Sequence, residues 1–153
     1  MRTLVEDTLK QLSPEIKYTQ DAAELCLGTI AHESLYGKYR KQIGGPALGI
    51  TQMEPSTFND CIENFLKYRP KISDKIRQIA VITEFRAEDL INNDKLAICM
   101  MRIKYYRDSN PIPNNLQGWA EYWKRVYNSE NGKGKVIEFI NHYKFYVLKQ
   151  PLV

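Results

Sequence analysis

Apolar residues recur at three- and four-residue spacing along most of the chain. Between residues 21 and 36 they are Ala23, Cys26, Leu27 and Ile30, which fall on one face of a helix. Asp21 followed by Glu24 has the form of a capping box, and Gly37 supplies a stop. A second helix opens at Pro55, a residue suited to the first helical position, and carries Phe58, Cys61, Ile62, Phe65 and Leu66 as a single stripe. Ser73 is placed to cap a short helix that turns Ile76, Ile79 and Ala80 inward. The run from 94 to 106, with Leu96, Cys99, Met100 and Ile103, is predicted to be the central helix. Beyond the turn SNPIPNN comes a helix marked by Trp119, Trp123 and Val126. A last helix follows SENGKG and carries Val136, Phe139, Ile140, Tyr143 and Val147. Sustained period-two alternation is missing, so the predicted fold is mainly α. SNPIPNN reads as an inter-helix loop, and residues 1–153 are expected to form one domain.

Composition agrees with a folded domain. Hydrophobic residues make up 43% and charged residues 26% of 153 residues, a length at which roughly 70% of the unfolded surface can be buried. The N-terminus has acidic residues within its first turns and no continuous apolar core of a secretory signal, and no run is long enough to span a bilayer. No stable membrane insertion is expected. A net charge of +4 is spread along the chain and does not single out nucleic acid as a partner. Cys26, Cys61 and Cys99 each sit in an apolar neighbourhood and read as buried free thiols. With no CxxC pair, and with His32 and His142 distant in sequence from every cysteine, no zinc ligand set is visible. Neither a metal nor an organic cofactor is expected.

The anomaly is Glu33. It follows Ile30 by three residues and Cys26 by seven, which puts a carboxylate on the apolar face of the helix. Loss of solvation raises the pKa of such a group and leaves it protonated near neutral pH, as a proton donor to a glycosidic oxygen must be. The plain alternative is a last-turn glutamate whose head reaches water past Gly37. Downstream, the stretch IGGPALGITQMEPST returns to glycine repeatedly before Gln52, as a tight loop approaching a ligand would. Gln52 can both donate and accept hydrogen bonds, as an acetamido sugar requires. An ordinary turn, with Gln52 bridging loop backbone, is the alternative.

Glu33-Ser34, then Gly49-Ile-Thr-Gln52-Met-Glu-Pro-Ser-Thr57, then the run from Asn93 to Tyr106, then Val126-Tyr127-Asn128 through Gly134, stand in an order that resembles the lytic transglycosylase SLT family of the lysozyme-like superfamily. The resemblance covers residues 22–136. It implies a lysozyme-like helical fold with a substrate cleft, and cleavage of the β-1,4 bond between N-acetylmuramic acid and N-acetylglucosamine in bacterial peptidoglycan glycan strands. The product would be a 1,6-anhydromuramic acid end. Glu33 would be the catalytic acid/base and Ser34 a neighbouring positioning hydroxyl. Gln52 would contact the N-acetylated sugar, Tyr127 would bring its hydroxyl to Glu33, and Asn128 would hold the cleft wall. This chain departs from the family pattern at Ile50, Thr51, Glu54, Val126 and Ser129, which bears on the sugar contacts.

Glycosidases that hydrolyse with water usually need a second carboxylate, and Glu54 and Asp60 are the nearest candidates in sequence. The single-carboxylate transglycosylase is favoured, and the alternatives are a muramidase that uses Glu33 with Glu54 or Asp60 and a non-enzymatic phage structural or wall-binding protein that keeps the shape. The basic stretch YGKYRKQ reads equally as a guide for glycan or a solvated rim. Small size and the missing signal look like a bacteriophage lysis enzyme or a virion-borne wall-penetration enzyme. Such a protein would be made in the host cytoplasm, act on the bacterial wall in the periplasm and be bacteriolytic, with a monomer favoured.

Overall fold

A computed structural model describes residues 1–128 and 132–151. The fold is mainly helical. Its α-helices are α1 (Arg2–Gln11), α2 (Gln20–Ser34), α3 (Pro55–Asn64), α4 (Pro70–Ala80), α5 (Asp94–Tyr106), α6 (Leu116–Trp123) and α7 (Val136–His142). Single π-helical turns, Lys124–Asn128 and Tyr143–Val147, continue α6 and α7. Among the described residues the only β pairing is two isolated bridges, Lys41 with Leu48 and Leu48 with Met53. No helix is long and apolar enough to cross a membrane among those residues.

Two helices form the centre. α5 has the bounds its periodicity predicts, is capped by the Asn93 side chain accepting from the Leu96 N–H at 3.0 Å, and buries Leu96 through Ile103 on every side. α2 is buried from Ala22 to Ala31 and packs against α1, α5, α6 and α7. Its predicted stripe of Ala23, Cys26, Leu27 and Ile30 is fully buried. Gly28 lies where α7 crosses, and a methyl group added there would overlap the Phe139 ring. Cys26, Cys61 and Cys99 are free and buried, and burial pushes the Cys26 and Cys99 thiols up to about 12.

Several boundaries differ from the predicted ones. α2 is capped by Thr19, whose hydroxyl accepts from the Ala22 N–H at 3.1 Å, and not by Asp21. Glu24 belongs to no capping box. It turns inward to accept a two-pronged bond from Arg2 at 2.6 and 2.8 Å and a bond from the Tyr143 hydroxyl at 2.6 Å. That network ties in α1, a helix not among those predicted although Val5, Leu9 and Leu12 stand at helical spacing. α2 ends at Ser34, before Gly37, because Leu35 and Tyr36 take left-handed backbone with φ of 50° and 64°. Ser73 is no cap: α4 begins at Pro70, and the Ser73 hydroxyl donates to the Leu66 carbonyl at 2.7 Å.

Candidate active site

Glu33 occupies the last turn of α2 and is half-buried in the wall of a cleft of about 610 Å³. The cleft is walled on one side by the loop before α3, through Gln42, Gln52, Met53 and Glu54. On the other side stands the π-turn after α6, through Val126, Tyr127 and Asn128. The Glu33 Oε2 accepts a hydrogen bond from Trp123 Nε1 at 3.0 Å. Burial pushes the Glu33 carboxyl up to about 7, against the Trp123 bond, which lowers it. Near neutral pH the group is therefore divided between acid and carboxylate, the state from which one residue can give a proton and later take one.

Aromatic packing holds the donor in place. Trp123 is fully buried, with its ring 5.2 Å from Phe139 and 4.6 Å, edge-on, from His32. His32 Nδ1 is 2.9 Å from His142 Nδ1, so one imidazole donates to the other. Burial, and then the neighbouring His142, lower the His32 pKa to about 4, against the opposing pull of Glu138. His32 is neutral at pH 7 and puts no positive charge beside Glu33 to undo the carboxyl's shift.

The loop carrying Gln52 is tight for identifiable reasons. Gly49 has φ of 77°, and a Cβ there would overlap the Leu90 carbonyl, so only glycine fits. Its N–H donates to the Arg40 carbonyl at 2.6 Å, and its own carbonyl accepts from both the backbone N–H of Gln52 at 3.1 Å and the side-chain Nε2 at 2.9 Å. Gln52 thus does bridge loop backbone, while lining the cleft with its amide oxygen left as an acceptor. Arg40, from the basic stretch, is tied down by Asp94 at 2.6 Å and lines no part of this cleft.

The remaining residues separate by placement. Tyr127 lines the cleft, but its hydroxyl donates to the Thr51 carbonyl at 2.6 Å and not to Glu33. Burial, then the nearby Glu33 charge, hold its pKa well above the ordinary value. Asn128 does brace the wall: Lys124 Nζ donates at 2.7 Å both to Asn128 Oδ1 and to the Gly132 carbonyl. Residues 129–131 of the same motif lie outside the described residues. Ser34 is fully buried, with its hydroxyl donating to the Ile30 carbonyl at 3.1 Å and accepting from the Gly37 N–H at 2.8 Å. It positions the end of α2, next to Glu33, and does not reach the cleft.

Of the two candidate second carboxylates, Glu54 lines the cleft with Glu33 and is exposed. Asp60 faces a neighbouring depression, where the Asn64 amide and the Arg107 guanidinium, 2.8 Å away, hold its carboxyl below the usual range. Among the described residues no group of three or more His, Cys, Asp or Glu side chains gathers as metal ligands would. Trp123 and His32 were not expected as site residues. The signal for Trp123 was its place one helical turn before Tyr127, on the same face. Comparison of the chain with family models, with curated proteins and with solved structures finds no match.

Proposed function

We propose that this protein is a lysozyme-like enzyme that cleaves the β-1,4 bond between N-acetylmuramic acid and N-acetylglucosamine of peptidoglycan by lytic transglycosylation. The observation that carries the reading is Glu33: a carboxyl in a cleft wall, raised to about 7 by burial and held at one oxygen by Trp123. The other oxygen, Oε1, delivers the proton to the glycosidic oxygen as the bond to C1 breaks. The substrate's own acetamido oxygen stabilises the charge that develops at C1, and the Gln52 amide oxygen is available to accept from the acetamido N–H. Glu33, now a carboxylate, takes the proton of the C6 hydroxyl while that oxygen closes onto C1. The product is a 1,6-anhydro end, and Glu33 is reset to the acid.

Glu54 in the same cleft supports one competing reading, a muramidase in which Glu54 activates water or attacks C1. Mass spectrometry of muropeptides released from purified peptidoglycan separates the two. Anhydro ends, lighter by one water and abolished by Glu33→Gln, are expected, with Glu54→Gln and Asp60→Asn each within a few-fold of the unmodified chain. Reducing ends, together with a loss of about 10³ or more in Glu54→Gln, would replace transglycosylation by hydrolysis. Release of no fragment by the unmodified chain would leave a wall-binding protein without catalysis.

A further inference from the structure

Arg102 is the buried arginine whose charge is not matched. It lies in α5, 7% exposed, and its Nη1 is sealed from solvent with no hydrogen-bond partner. The other arginines that bear on the core or the cleft rims are paired: Arg2 with Glu24, Arg40 with Asp94, Arg107 with Asp60 and Arg125 with Asp108. No ion pair involves Arg102 among the described residues. The Tyr106 ring, with its centroid 5.6 Å from the guanidinium carbon, gives only a cation–π contact. A guanidinium cannot shed its proton, so burial leaves the charge in place and costly until an anion meets it.

Arg102 lines a second cleft, of about 400 Å³, that shares no residue with the cleft of Glu33. The start of α2 opens onto it at Thr19 and brings the positive end of a 15-residue helix. Lys17, exposed, stands on its rim. Two carboxylates also line it. Asp108 is already engaged by Arg125 at 3.0 and 3.2 Å, by the Tyr122 hydroxyl and by the Asn110 N–H. Asp21 offsets Lys17 in charge, which leaves Arg102 as the excess. The remaining walls include Tyr122 and Ile112, apolar surface that a bare inorganic ion would not use, in a volume larger than such an ion fills.

We infer that this second cleft binds a small organic carboxylate, with an oxygen on the edge of the Arg102 guanidinium that lines the cleft, beside the sealed Nη1, and its apolar body against Tyr122 and Ile112. The inference stands apart from the reading of Glu33, and its test needs no enzymatic activity. Benzoate and benzamide are the probes, since they share a shape and differ in charge. Benzoate should shift the Arg102 Nε–H resonance of the ¹⁵N-labelled full chain, assigned by its loss in Arg102→Met, and benzamide should leave it in place. By calorimetry the benzoate Kd should rise about tenfold or more in Arg102→Met, the size of a lost charge-assisted hydrogen bond. Arg77→Met, on α4, should leave it unchanged. Arg102→Met should fold, because it removes an unmatched buried charge; Lys17→Met, at an exposed position, should give a smaller loss independently. No shift with benzoate, equal shifts with benzamide, or affinity retained in Arg102→Met would overturn the inference. Inorganic phosphate binding as tightly as benzoate would overturn the assignment to an organic ligand.

Discussion

Replacing Glu33 by glutamine should make the protein more stable, and by an amount that depends on pH in a defined way. In the folded chain the carboxyl is raised from an ordinary value near 4.5 to about 7, because burial disfavours its charged form. Below pH 4.5 the folded and unfolded chains both carry the neutral acid, glutamine is nearly isosteric with it, and the two proteins should differ little. As pH rises through 4.5 the unfolded chain releases this proton and the folded chain keeps it. The wild type then loses stability at about 1.4 kcal/mol per pH unit until the folded group also ionises near 7. The accumulated difference is about 3 kcal/mol, a sizeable part of the roughly 5–15 kcal/mol that holds a typical domain together. Glutamine can still accept from Trp123 Nε1 and escapes the whole slope. Urea unfolding of both proteins from pH 4 to pH 9 measures this directly. A stability difference that stays flat across that range would refute the claim that Glu33 is held as an acid by its surroundings, whatever the activity of the variant.

Trp123→Phe removes the one hydrogen bond that lowers the Glu33 pKa, so the ¹³C-detected titration of Glu33 should move above 7; a move downward would contradict the assigned direction. Gly28→Ala drives a methyl group into the Phe139 ring, and overpacking of about 1–3 kcal/mol should exceed the gain of about 1 kcal/mol in helix propensity, seen as a lower Tm. Burial alone would raise Glu24, but Arg2, Tyr143 and Gln20 hold it at about 2. Its contribution to stability is therefore present above pH 4.5 and lost as pH falls towards 2. Tyr143→Phe should cost about 1–3 kcal/mol at pH 7, with the gap to wild type closing in acid, as denaturant unfolding at the two pH values would record.

The helices that were legible are those whose apolar period is complete within one segment. α5 has Asn93 to start it and apolar side chains all round, so its bounds agree with the pattern. α1 carries the same kind of period and was passed over: Val5, Leu9 and Leu12 stand four and three residues apart and all are buried, while the pairing of Arg2 with Glu24, 22 residues away, is the part that no local pattern announces. The same long-range pairing took Glu24 out of the capping box that its spacing from Asp21 suggested. Local rules assign a side chain to the nearest backbone donor, and a guanidinium offering two charged N–H donors competes more strongly for a carboxylate than a single N–H at a solvent-exposed helix end. The end of α2 was misplaced for a related reason. Leu35 and Tyr36 accept left-handed backbone, normally left to glycine, where the Ser34 hydroxyl holds the Gly37 N–H.

Glu33 was legible as an exception, a carboxylate at an apolar helical position, since burial of a charge is conspicuous in any sequence. Its partner was not. Trp123 sits 90 residues further on, and an indole on a helix face gives no sign from sequence whether its N–H faces a carbonyl, water or a carboxylate. Tyr127 was assigned the contact with Glu33 on family resemblance, but its hydroxyl is taken by the Thr51 carbonyl in the loop that also carries Gln52. The two aromatic residues therefore divide the work: Tyr127 fixes one cleft wall to the other, and Trp123 fixes the acid. That division gives the Glu33 environment a dependence on α7, because Phe139 packs on Trp123 and reaches α2 only where Gly28 leaves room. A perturbation at Gly28, one turn and more from Glu33 on the same helix, should therefore reach the carboxyl through Phe139 and Trp123 and shift its titration even where the protein stays folded. An unchanged Glu33 titration in a folded Gly28→Ala protein would mean that the indole is held by its His32 contact instead.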